Sequence, residues 1–165
     1  MTFLLFIQIT FVCLLGAMSP GPSMMVVINN AIFKNRLNEE TNLIKYEGKL
    51  LLMNFWATWC RPCLVELPHL NAIDKKYEDK GVDVVVISID AAREVSKAKA
   101  YIKSRKYQFT ALFDTETSVV SQYNPSKAIP FTLIIDREMR IVHTHTGYVA
   151  GVEDTYIQIL DDLTQ

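Results

Sequence analysis

KLLLMNFWATWCRPCLVELP, Lys49 to Pro68, joins an apolar run to a Cys-Arg-Pro-Cys and then to a helical pattern. Leu50 to Trp56 is apolar and of strand length. Beyond the cysteines, apolar side chains recur at Leu64, Leu67, Leu70, Ile73 and Tyr77, the three-and-four spacing of a helix with one buried face. The stretch predicts a buried strand feeding a helix, with a dithiol at the junction. A helix start carries unpaired N–H groups and a partial positive charge, both of which favour a sulfur anion. Cys60 is therefore predicted to ionise more readily than a free thiol and to act as the nucleophile. Cys63 lies one turn further along the same edge, placed to resolve a mixed disulfide. Pro62 suits a first helical turn, where its missing N–H costs nothing.

The 165 residues fit one domain of ordinary size plus an appendage. A formal net charge of -1 gives no electrostatic case for a nucleic-acid partner. Three cysteines, two of them in the Cys-Arg-Pro-Cys, point to catalytic use rather than a disulfide scaffold. The apolar excess sits at the front: no charged side chain precedes Lys34. A spanning helix needs about 20 apolar residues, so residues 1–33 predict a membrane helix, kinked at Pro20-Gly21-Pro22. A cleaved signal peptide, with Phe3 to Leu15 as its apolar core, is the rival reading, although the positive start usual in such peptides is missing. Cys13 reads as an apolar residue within this segment.

The predicted organisation is a hydrophobic segment over 1–36, a polar linker over 37–48, and a domain over 49–165. Within the domain a helix is predicted from Pro62 to Lys80, bent at Pro68 and ended by Gly81. Val82 to Ile89 reads as a central parallel strand, nearly all β-branched. An exposed helix over Arg93 to Lys106, a strand over Phe109 to Phe113 and a short helix over Glu116 to Tyr123 follow. Strands over Phe131 to Ile135 and Ile141 to Thr146, then an amphipathic helix over Val152 to Leu163, close the chain. Strands alternating with helices, then a hairpin and a last helix, predict an α/β fold with a mixed sheet.

The chain resembles the TlpA-like and ResA-like thiol-disulfide oxidoreductases of the thioredoxin superfamily. The resemblance is carried by NFWATWCRPC, Glu66-Leu67-Pro68, Ile129-Pro130-Phe131-Thr132 and Leu133-Ile134-Ile135-Asp136, and covers about Glu47 to Leu163. It implies a thioredoxin fold, a mixed central sheet flanked by helices. It also implies a cis-proline at Pro130, lying against the dithiol, with the Ile129 backbone offered to the substrate chain. Proteins of this kind carry a tuning glutamate where this chain has Glu66, one turn past Cys63; a carboxyl half-buried there is expected to have a raised pKa and, in its ionised form, to accept the proton of Cys63 when that thiol attacks the mixed disulfide. Ordinary thioredoxins place a buried aspartate where this chain has Asn54, so the proton relay falls to Glu66. The N-terminal β-hairpin usual before the strand at Leu50 is expected to be shortened or absent, since only Leu43 to Tyr46 leaves room for it.

Arg61 adds positive charge beside Cys60, and Trp59 is expected to face the substrate while Trp56 faces the core. With Pro62, Ile129 and Pro130 they make up the expected docking surface. His69, His143 and His145 have no acidic partners at metal-site spacing, and no cofactor is expected beyond the dithiol. The expected partners are protein thiols and disulfides and an upstream thiol electron donor. The rival from another class is a redox-passive module that delivers copper through Cys60, Cys63 and a histidine.

The front, GAMSPGPSMMVVINNAIFKNR, resembles the beginning of the LysE-type amino-acid exporters over about the first 36 residues. One span does not build a transporter, so the combination suggests a fused reading frame with a vestigial exporter segment. Lys34 and Arg36 directly after the apolar stretch favour a cytoplasmic domain by the positive-inside rule. The TlpA-like resemblance implies the opposite, an extracytoplasmic domain on the bacterial cytoplasmic membrane, and that is the reading adopted.

Overall fold

Seven strands form one sheet in the order β2-β1-β5-β4-β3-β6-β7 in a computed structural model that describes residues 32–37 and 39–165. The strands are β1 (Phe33–Lys34), β2 (Glu40–Thr41), β3 (Leu50–Trp56), β4 (Val82–Ser88), β5 (Thr110–Phe113), β6 (Phe131–Ile135) and β7 (Ile141–Thr146). The helices are α1 (Arg61–Tyr77), α2 (Val95–Ser104), the single turn α3 (Val120–Tyr123) and α4 (Val152–Leu163). β3 runs parallel to β4 and β4 to β5, whereas β6 and β7 are antiparallel to their neighbours. The sheet is mixed, as expected.

β3 is the centre of the molecule, and all of its residues are buried. It pairs with β4 from Leu50↔Val82 to Trp56↔Ser88 and with β6 from Leu51↔Ile135 to Phe55↔Phe131. Helices on both faces explain why β3 and β4 are near-continuous apolar runs rather than alternating ones. α1 follows β3 after a four-residue connection and buries Cys63, Glu66, Leu67, Leu70, Ile73 and Tyr77, the face that its sequence spacing predicts. Its last turn tightens at Glu78–Lys80 and stops at Gly81, whose φ of 72° is left-handed. α3 is shorter than expected because Asp114 draws the chain in before it: its carboxylate accepts from the N–H groups of Ser118, Val119 and Val120.

Two expectations change. The stretch read as a linker is part of the domain: Glu40–Thr41 is a strand, Ile44–Tyr46 a 3₁₀ turn, and Leu43 and Tyr46 are buried. The end of the stretch read as membrane segment is also sheet. Phe33 is 1% exposed, Lys34 pairs with Phe113 of β5, and Arg36 donates through Nη2 to the Phe109 carbonyl at 2.7 Å. A short hairpin thus caps the β5 edge, earlier in the chain than Leu43 to Tyr46. Strands of two residues carry no readable alternation, and pairing with β5 rather than their own pattern defines them. Residues 1–31, which hold most of the predicted membrane segment and the exporter resemblance, lie outside the described residues, as does Asn38. Among the described residues no helix is long and apolar enough to cross a membrane.

Candidate functional site

Cys60 is the N-cap of α1, and its Sγ accepts from the backbone N–H of Cys63 at 3.2 Å. That donor is one of the orphan N–H groups of the first turn, so the sulfur occupies the place that a capping oxygen would take. Cys60 and Cys63 are joined in a disulfide, and both are nearly buried, at 5% and 1% exposure. Pro62 stands in the first turn, where the helix accepts it without losing a bond. The loop before Cys60 is tied down by Asp90. This fully buried carboxylate accepts from the Thr58 N–H and hydroxyl and from the Ser88 hydroxyl. The sequence pattern alone does not single out Asp90; its position two residues past the end of β4, beside the end of β3, is the signal that marks it.

The peptide bond between Ile129 and Pro130 is cis, and the Ile129 carbonyl oxygen lies 3.8 Å from the Cys60 sulfur. Residues 69 positions apart in sequence therefore meet at the dithiol. Around it Trp59 is 65% exposed, Arg61 and Pro62 are exposed, and Trp56 is fully buried in the core. Expected site residues Cys60, Cys63, Ile129 and Pro130 are thus brought together, with Trp59, Arg61 and Pro62 on the rim.

Glu66 projects from α1 into the protein rather than half into solvent, at 1% exposure. Its carboxyl takes three hydrogen bonds: Asn54 Nδ2 donates to Oε2 at 2.9 Å, Tyr156 OH to Oε1 at 3.2 Å, and Thr132 Oγ1 to Oε1 at 3.5 Å. Asn54 Nδ2 also donates to Thr132 Oγ1 at 2.9 Å, so the amide fixes the whole cluster. Burial pushes the Glu66 carboxyl up to about 7, against the three hydrogen bonds that favour its anion. Desolvation wins because donors offset only part of the cost of a charge removed from water. Tyr156 comes from α4, 90 positions away, and no local signal announced it.

Behind Tyr156 lie His143 and His145 of β7, with rings edge-on to the tyrosine at 6.1 and 6.2 Å. Burial, and then the neighbouring His145, hold the His143 imidazole below its ordinary range. His69 sits on α1, its Nδ1 3.3 Å from Glu153 Oε1. Among the described residues no group of three or more His, Cys, Asp and Glu side chains is arranged to hold a metal.

A mixed sheet of this order, a dithiol on the first turn of the helix after its central strand and a cis-proline against the sulfur define a thioredoxin-fold protein of the dithiol class. The Redoxin family model matches residues 27–159, and the chain belongs to that family. The thiol-disulfide oxidoreductase ResA of Bacillus cereus is 29% identical over 118 residues, 72% of this chain and 66% of that protein. The thioredoxin-like protein YneN of Bacillus subtilis is 32% identical over 120 residues, 73% of this chain and 69% of that protein. The chain thus spans just under two thirds of the length of the ResA relative. Among solved structures, a thiol:disulfide interchange protein DsbE from Chlorobium tepidum superposes with a TM-score of 0.75 at 23% identity, covering 84% of this chain and 95% of that one. At that identity the likeness shows the fold.

Proposed function

We propose that this protein is a thiol-disulfide oxidoreductase that exchanges disulfides with protein partners. The observation that carries the reading is the Cys60–Cys63 disulfide on the first turn of α1 with the Ile129 carbonyl beside the Cys60 sulfur. In the reducing direction the Cys60 thiolate attacks one sulfur of a partner disulfide, forming a mixed disulfide and releasing the other partner sulfur as a thiolate. Cys63 then loses its proton and attacks the Cys60 sulfur. The Cys60–Cys63 disulfide forms, the second partner thiol leaves, and two electrons have passed to the partner. An upstream thiol protein returns them by the reverse exchange.

Glu66 takes the Cys63 proton. A carboxyl that titrates at about 7 is divided between its two forms at neutral pH, so it accepts and returns a proton at little cost. Trp59, Arg61 and Pro62 form one side of the docking surface, and Ile129 and Pro130 the other. The apolar residues before Ile32 anchor the chain to the bacterial cytoplasmic membrane, with the domain on the extracytoplasmic side.

Insulin-disulfide reduction tests the reading. The native chain should turn over, C60S should be inactive, and C63S should accumulate a mixed disulfide through Cys60. The resolving step should speed up as pH rises through about 7, and E66Q should slow it roughly 100-fold and flatten that profile. Absence of exchange together with stoichiometric copper uptake would replace this reading with the copper-delivery one.

A further inference from the structure

At the N-terminal half of α1, two cross-helix pairs join it to α4, one turn apart on each helix. Glu66 meets Tyr156 at 3.2 Å, and three residues on along α1 and three back along α4 His69 meets Glu153 at 3.3 Å. Tyr148, in the loop before α4, stacks on the His69 ring at 6.3 Å and closes the outer end of the seam. The Glu153 side chain is 19% exposed, and its second oxygen, Oε2, is buried with no hydrogen-bond partner. Side chains three apart on a helix start about 5–6 Å from one another, so the Glu66 and Glu153 carboxyls share one shielded interface.

From this geometry we propose that Glu153, held by His69, is a positioning residue that adds to burial in raising the pH at which Glu66 gives up its proton. The inference rests on Glu66 as the proton carrier of the exchange reaction. Two carboxylates in one poorly solvated seam repel, so a charged Glu153 keeps Glu66 protonated to higher pH. The titratable groups around Glu66 are Cys63 and His69 on its own helix, Tyr156 and Glu153 on α4, Tyr148 in the loop before α4, and, behind Tyr156, His143 and His145 on β7; β3 and β6 present Asn54 and Thr132, which do not titrate. Glu153 is the only carboxylate of that set besides Glu66, and its electrostatic effect on Glu66 is to raise its proton affinity. His69 fixes the carboxylate by one oxygen and leaves Oε2 within the protein.

The test is a titration of the Glu66 carboxyl, read by its carbon-13 shift in the full-length oxidised protein without any partner. E153Q should lower its proton affinity at least about threefold. E153D, which keeps the charge, should lower it by less than threefold. E153S repeats the charge removal with a residue that suits a first helical turn, and it should match E153Q. A change below threefold in both charge-removing variants, or an equal drop in E153D, would overturn the proposal. Because the readout uses no thiol exchange, an unaffected E66Q rate, which would remove Glu66 as the proton carrier, or an absence of exchange altogether would leave this result separately readable.

Discussion

Glu66 receives three hydrogen bonds yet binds its proton more tightly than a solvated glutamate, whose ordinary value is 4.5. An unfolded chain gives that proton up near 4.5, whereas the folded protein keeps it to about 7. The raised value means that the stabilising contribution is whole below the unfolded value and is lost as pH climbs between the two. Integrated over that window the loss is about 3 kcal/mol. E66Q, which cannot ionise, should therefore gain up to about 3 kcal/mol on the native protein between about pH 4 and about pH 8, measured as a difference in urea unfolding free energy. An unchanged difference across that range would mean that Glu66 titrates normally. Glu66 was visible in sequence because it lies one helical turn past Cys63, and Asn54 because it replaces an expected acid. Their partner Tyr156 was not, since a contact across 90 positions leaves no mark in local periodicity.

At the scale of elements, β3, β4, β6, β7, α1 and α4 follow the apolar pattern closely, because burial on one or both faces writes itself into spacing. The hairpin β1–β2 shows the opposite case. It is held by Phe33 packed in the core, by Lys34 paired with Phe113, and by the Arg36 guanidinium on the carbonyls of Tyr107 and Phe109. These are long-range contacts, and a reading from local pattern assigned the same residues to a membrane segment. F33A should cost about 3 kcal/mol, as other large buried aromatics do, and R36A about 1 kcal/mol, both read from denaturant midpoints. A neutral F33A would show that the hairpin is not part of the folded core.

For the whole molecule, the consequence concerns where the domain starts. Family similarity runs from residue 27, and the sheet takes in Phe33. A chain beginning at residue 27 should melt with the native protein and reduce insulin at the native rate. One beginning at residue 37 lacks β1 and should melt lower by about 2–4 °C for each kcal/mol lost. Equal melting of the two would restore the boundary that the sequence suggested. Lys34 and Arg36 belong to the hairpin, so their weight as charges flanking a membrane segment is reduced, and a topology reporter fused at Gln165 should read extracytoplasmic.

Everything proposed for the reaction depends on an anionic Cys60 sulfur at the α1 N-terminus. The most direct measurement is the pH dependence of single-site alkylation of the reduced protein, with C63S as background so that only Cys60 near the site reacts. Fast labelling at neutral pH that stays level as pH rises to about 9 is the predicted result, because the sulfur is already charged. Labelling that climbs with pH through about 8.5, as for a free cysteine, would contradict it.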